Sequence, residues 1–327
     1  MTEQLKMFKV ENLKVSKKGF ELKFELHNFP VSFVNALRRI TLNNIPTVVV
    51  QDVQILKNTT QMPHEMLKHR MEMLPINVNP QDHSTIKDTV IELNILENSE
   101  QKGVETITTD QFTVASGTDG LIMKDRDLNT PLLFTKLRPG ETIHVRGRLG
   151  VENSSQVCLC TTNWVIDEDL AEAERKLWEE QKQDIREFNT TRIQRLYSRN
   201  EQGRPNKFNF IIESIGVLES KEILKLALEV LRKQLKSFMD DIMDNIQREQ
   251  DKGSYTISVE QGGHTMGALF QEVIYTDKNV SFVAYDIPHP LRKTTVLRFH
   301  TEKTPESILK YANETIEEYC SEVEKVL

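Results

Sequence analysis

Apolar and polar side chains alternate near the start of the chain. Phe20, Leu22, Phe24 and Leu26 are separated by Glu21, Lys23 and Glu25, which is the period of a strand with one buried face. Residues 5–26 therefore read as two strands, ended by Asn28 and Pro30. From residue 31 to 43 the spacing becomes helical, with Phe33, Val34, Leu37, Ile40 and Thr41 on one face, and Pro46 stops the helix. The β-branched run 47–56 predicts a strand, and residues 62–73 predict a short helix stopped by Pro75.

The pattern changes between residues 77 and 205. Strand-like runs at 90–96 and 142–149 are separated by clusters of Gly, Ser, Asn and Asp, as in a mostly β insert. Its last part, residues 167–199, is highly charged and reads as one long exposed helix or a partner-binding arm. Gly203 and Pro205 close it. Phe208, Phe210 and Ile212 then alternate as a strand, and Ser220 is placed to cap a helix. Leu224, Leu228, Leu231, Leu235, Phe238, Ile242 and Ile246 follow at steps of three and four, forming one helical stripe. Each such side chain contributes about 1.5–3 kcal/mol when buried, so the stripe requires a long apolar partner.

A polar stretch ending in Gly253 marks a module boundary. Beyond it the chain predicts a strand at 255–259 and a helix at 265–275 with Met266, Leu269, Phe270 and Val273 on one face. Strands follow at 280–284 and 294–300. Thr304 and Pro305 begin a last helix with Ile308, Tyr311, Ala312, Ile316, Tyr319, Val323 and Val326 as its stripe. Both ends of the chain thus share a plan of strand, short amphipathic helix, strand and long striped helix. The expected fold class is α+β. Residues 1–76 with 206–250 form a first module, 77–205 the insert, and 251–327 a second module. The two stripes are expected to pair as an intramolecular pseudo-dimer, by the logic of an isologous interface.

Composition narrows the function classes. The chain has 327 residues, 38% hydrophobic and 28% charged, enough for a folded core. Its net charge of −7 argues against a protein that grips nucleic acid unaided. Three cysteines, Cys158, Cys160 and Cys320, do not make a disulfide framework and suit a reducing compartment. No run approaches the roughly 18 apolar residues of a membrane span, and residues 1–10 lack the apolar core of a signal peptide. The expectation is a soluble, intracellular protein whose partners are proteins, with no membrane and little or no direct nucleic-acid contact.

Several motifs are more specific. Asn35-Ala36-Leu37-Arg38-Arg39, Ile45-Pro46-Thr47, His69-Arg70 and Leu74-Pro75-Ile76 resemble the alpha-type subunits of RNA polymerase: bacterial alpha, archaeal D, and the third-largest subunit of eukaryotic RNA polymerase II. Leu137-Arg138-Pro139-Gly140-Glu141 and residues 210–216 fit later parts of the same family. The last third resembles the smaller partner, archaeal L or the eleventh-largest eukaryotic subunit, through Gly263-His264-Thr265-Met266-Gly267 and Tyr285-Asp286-Ile287-Pro288-His289-Pro290-Leu291. Such a fusion is similar to what large cytoplasmic DNA viruses encode. That resemblance places it in a virion and host cytoplasm if viral, otherwise in the nucleus or cytoplasm of its source cell.

The resemblance implies a non-catalytic assembly platform for the largest and second-largest polymerase subunits, beside a small zinc-bearing assembly subunit. It places Asn35, Ala36, Leu37, Arg38, Arg39, His69 and Arg70 on the docking face, where arginine forks pair with carboxylates or backbone oxygens. Taken alone, two arginines after an apolar helix face are a solvated helix end, and Asn35 is as readily a structural hydrogen bonder. Gly267 permits close backbone approach, or is merely a tolerated helix glycine. Pro288 and Pro290 hold His289 in an extended segment, and His289 has no nucleophile near it in sequence. Many third-largest subunits carry a four-cysteine zinc cluster in the insert. Here only Cys158 and Cys160 lie there, His83 and His144 are distant, and tetrahedral zinc needs four ligands, so no metal or other cofactor is expected. Asp125, Asp127 and Asn129 resemble a calcium loop, but Thr130 and Lys136 stand where Gly and Glu are required. A free-standing adaptor that reuses the same fold is the alternative.

Overall fold

The hydrophobic periodicities correspond to elements of a computed structural model that describes residues 8–96, 103–114, 120–153, 157–249, 251–325 and 327. Strands β1 (Lys9–Ser16) and β2 (Glu21–His27) precede helix α1 (Val31–Asn43) and strand β3 (Pro46–Asn58). Helices α2 (His64–Glu72) and α3 (His83–Asp88) lead to strands β4 (Val90–Ile95), β5 (Glu105–Thr108), β6 (Thr113–Val114), β7 (Leu133–Leu137), β8 (Ile143–Asn153) and β9 (Cys158–Trp164). Helix α4 (Glu168–Glu180) and the single turn α5 (Ile185–Glu187) come next, then β10 (Lys207–Ser214) and the long α6 (Ser220–Asp244). The second module contains β11 (Ile246–Arg248), β12 (Ser254–Val259), α7 (Gly263–Ile274), β13 (Val280–Asp286), β14 (Thr295–Thr301) and α8 (Pro305–Glu324).

Two compact units result. The first comprises Met1–Thr41, Cys160–Ile212 and Leu224–Leu327; the second comprises Leu42–Leu159 and Glu213–Ile223. Within the first unit lie two four-stranded sheets, ordered β1-β2-β10-β9 and β11-β12-β14-β13. The orders are equivalent when β2, α1, β10 and α6 are matched with β12, α7, β14 and α8. This is an α+β fold with two related modules in one chain.

The packing between modules follows the same equivalence. Phe238 of α6 meets Phe270 of α7 edge-on, ring centroids 5.0 Å apart. In the matching position Tyr319 of α8 meets Phe33 of α1 at 5.2 Å and Phe29 at 5.8 Å. Each long helix therefore reaches the other module's short helix through an aromatic contact. Between the long helices, Arg232 of α6 pairs with Glu317 at 3.1 Å and Glu324 at 2.7 Å on α8. Leu224, Leu228, Leu231, Leu235, Phe238 and Ile242 are all buried, as are Met266, Leu269, Ile308 and Ile316.

The second unit is built on the sheet β3-β8-β4-β6 and the two-stranded β5-β7. Leu67 and Met71 of α2 close its core over Val48, Val50, Ile91, Leu93 and Val145.

Several expectations differ from this structure. Residues 42–76 group with the insert, because β3 pairs with β8 from Pro46↔Asn153 to Asn58↔Ile143. Residues 160–205 group with the paired modules. Ile246 is not part of the helical stripe: α6 ends at Asp244, and Ile246 pairs with Ile257 in the second module's sheet. The modules thus join at Asn245, and Gly253 lies in the β11–β12 hairpin. Residues 167–199 are not one long helix; α4 stops at Glu180 and the chain turns back. Tyr311 faces outward, 37% exposed, because the buried register on α8 runs through Ile308, Ala312 and Ile316. Val326 and residues 1–7 fall outside the described residues.

Candidate subunit-docking face

Helix α1 is divided sharply between two environments. Phe33, Val34, Ala36, Leu37, Ile40 and Thr41 are buried. Val31, Asn35, Arg38, Arg39 and Leu42 recur at steps of three and four on the opposite side and remain exposed or half-buried. Ala36 and Leu37, 1% and 0% exposed, face the core and offer no surface to a partner. The helix start is fixed by the second module, where the Glu272 carboxylate of α7 accepts the Ser32 backbone N–H at 2.9 Å. This satisfies an otherwise orphaned donor and places negative charge at the positive end of the helix dipole. Arg204 donates to the same carboxylate at 3.2 Å.

The two arginines differ. Arg38 donates from Nε and Nη2 to Asn35 Oδ1, at 3.2 and 2.8 Å. That fork holds its side chain along the helix surface and occupies the Asn35 carbonyl. Arg39 is exposed and has no hydrogen-bond or ion-pair partner among the described residues. A groove of about 570 Å³ runs beside this face, lined by Val31, Asn35, Ala268, Glu272 and Tyr275 among others.

His69 and Arg70 lie in the second unit. His69 is exposed on α2. Arg70 donates from Nε to the Phe134 carbonyl at 2.7 Å and from Nη2 to the Leu133 carbonyl at 3.0 Å. Its fork is used to anchor β7.

In the second module, a Cβ on Gly267 would sit 2.5 Å from Tyr285 Cδ2, so the glycine is required by the ring packed on α7. His264 is exposed, its Nδ1 3.4 Å from Tyr285 Oη, and Thr265 is half-buried. Pro288, His289 and Pro290 occupy an exposed loop between β13 and β14, in which His289 Nδ1 accepts the Leu291 N–H at 3.1 Å.

The insert does not fit a zinc cluster. Cys158 and Cys160 are buried on one face of β9, and two cysteines fall short of the four ligands of a tetrahedral zinc. Among the described residues no group of three or more His, Cys, Asp or Glu side chains is placed to hold a metal ion. Asp125 instead accepts the Asp127 and Leu128 N–H groups at 3.0 and 2.7 Å, making a self-contained turn. Also among the described residues, no helix is long and apolar enough to cross a membrane.

Sequence reasoning missed Glu272, Arg204, Arg232 and Arg126. Arg126 reaches Glu213 at 3.1 Å and the Ser214 carbonyl. No local pattern marks these residues, since each acts on a segment far away in sequence.

Comparison with known proteins identifies the fold. Models of the RNA polymerase Rpb3/Rpb11 dimerisation domain match residues 23–235 and 254–326. The chain belongs to that family. It is similar to DNA-directed RNA polymerase subunit Rpo3 of Methanocaldococcus jannaschii, 23% identical over 241 residues, covering 72% of this chain and 97% of the relative. It is also similar to DNA-directed RNA polymerase II subunit RPB3 of Schizosaccharomyces pombe, 24% identical over 257 residues, covering 67% and 82%. Rpo3 of Thermococcus kodakarensis matches at 23% over 257 residues, 70% and 96% of the two chains. The Rpb3/Rpb11 matches coincide with the two modules of the first unit, the first match also running through the second unit.

Proposed function

We propose that the chain is a non-catalytic assembly subunit of a DNA-directed RNA polymerase, and that its α1 face docks the second-largest subunit. Family membership and the Rpo3 and RPB3 relatives support the role in polymerase assembly. The observation that carries the docking face is Arg39, a guanidinium with no partner among the described residues, on the exposed side of a helix whose other side is buried. A planar fork there matches carboxylates or backbone oxygens of a partner. Arg38, pre-ordered by Asn35, would add a second donor group at low entropic cost.

The paired modules stand in for a two-chain dimer, so their association does not depend on concentration. The largest subunit and a small zinc-bearing assembly subunit complete the proposed set of partners. The exposed loop at Pro288, His289 and Pro290 is the candidate second-module contact. Tagged purification from the native source, with masses of everything retained, tests this reading. Stoichiometric recovery with two very large chains is the expected result. Recovery as a lone monomer would favour the adaptor instead.

A further inference from the structure

Helix α4 presents an unusual energetic situation. Helices in globular proteins draw most of their stability from burying an amphipathic face, yet no residue of α4 is buried. Leu170 and Leu177 are 51% and 55% exposed, and Ala173 between them is exposed as well. At spacings of three and four they form one stripe.

The stripe is not the face by which α4 attaches. Ala171, Glu174 and Trp178, rotated round the helix from it, are the half-buried positions. Glu174 accepts from Arg192 Nε at 2.6 Å. The Trp178 ring lies 5.8 Å from that of the buried Phe188, and its Nε1 donates to the Asp184 carbonyl at 3.1 Å. Asp167 caps the first turn through the Leu170 N–H at 3.1 Å. The helix is thus anchored on one side, and the leucine stripe is left over.

Charge selects the occupant. Residues 167–180 carry seven carboxylates against two basic side chains. Arg175 and Lys176 are already paired along the helix, with Glu179 at 3.2 Å and Glu172 at 3.0 Å. Asp169 and Glu180 border the stripe and have no ion-pair partner among the described residues. Nucleic acid and anionic membranes would be repelled, as would α4 of a second copy. We infer that α4 is a docking helix for a basic amphipathic protein helix, whose apolar residues cover Leu170, Ala173 and Leu177 while its Lys or Arg side chains meet Asp169 and Glu180. This inference stands apart from the α1 docking face and does not require it.

The test uses the full-length chain and two fluorescent synthetic helices of equal length. Both carry leucines at heptad a and d positions, one flanked by lysines and the other by glutamates. Anisotropy should show saturable binding of the lysine helix at least tenfold tighter than the glutamate helix. Leu170→Ser with Leu177→Ser should weaken the lysine helix at least tenfold. Asp169→Lys with Glu180→Lys should reverse the preference. These positions are exposed, so unchanged circular dichroism is expected and confirms folding. Equal binding of both helices, or lysine-helix binding unaffected by the serine pair, overturns the inference. Retention of the lysine preference in the charge-reversed variant would overturn it too.

Discussion

Gly267→Ala tests the packing beneath the second-module motif. A Cβ at this position would lie 2.5, 2.9 and 3.1 Å from Cδ2, Cγ and Cε2 of Tyr285. The ring has little freedom to retreat. Its backbone N–H donates to Gln271 Oε1 at 3.0 Å, and its strand position is fixed by pairing with Leu297. Overpacking of this kind costs about 1–3 kcal/mol, whereas replacing glycine by alanine within a helix gains about 1 kcal/mol. The net expectation is destabilisation by about 1 kcal/mol, read from urea unfolding by far-ultraviolet circular dichroism. The sharper readout is a change of sign. In a Tyr285→Ala background the clash is gone, and the same Gly267→Ala change should stabilise. If Gly267→Ala is stabilising to the same extent in both backgrounds, the glycine is not held by Tyr285 and the packing argument fails.

Three further perturbations address other contacts. Arg232→Met should cost about 1 kcal/mol, since its two carboxylate partners are substantially exposed and screened. The hydrogen bond from Arg232 holds the Glu324 carboxyl below its ordinary 4.5. Its contribution is therefore present above that pH and lost as pH falls through the lower folded value; acid titration of stability should show a shallower loss in Arg232→Met than in the parent. Arg70→Met should destabilise the second unit by about 1–3 kcal/mol through the unpaired Leu133 and Phe134 carbonyls, while leaving polymerase-subunit binding intact; pulldown alongside thermal unfolding separates the two. Arg126→Met should likewise loosen the end of β10, by about 2 kcal/mol, through lost bonds to Glu213 and the Ser214 carbonyl, measurable by hydrogen exchange at the C-terminal end of that strand.

Much of the fold was legible because it rests on local periodicity. The buried face of α1 and the stripe from Leu224 to Ile242 follow directly from steps of three and four. What escaped was set by distant contacts. Ile246 continues the helical spacing, and only its pairing with Ile257 assigns it to a strand. Tyr311 sits one turn from Ile308, yet the register chosen by Ala312 and Ile316 turns it outward, where its hydroxyl lies 3.1 Å from Thr276 Oγ1. Residues 46–58 lie before the insert in sequence but are bound into its sheet by β8. On α1 the sequence motif marks the helix and not the division of labour within it. Neither the Arg38–Asn35 fork nor the Glu272 contact to Ser32 has a local signature, because the first needs side-chain geometry and the second spans both modules.

Helix α1 is proposed to dock the second-largest polymerase subunit through Arg38 and Arg39. Titration of that purified subunit against the full-length chain, by sedimentation or calorimetry, tests it most directly. Arg38→Glu with Arg39→Glu should abolish measurable binding while the circular dichroism spectrum and unfolding midpoint stay close to the parent, because neither side chain is in the core. Undiminished binding by the double variant would mean that the second-largest subunit docks elsewhere on the chain.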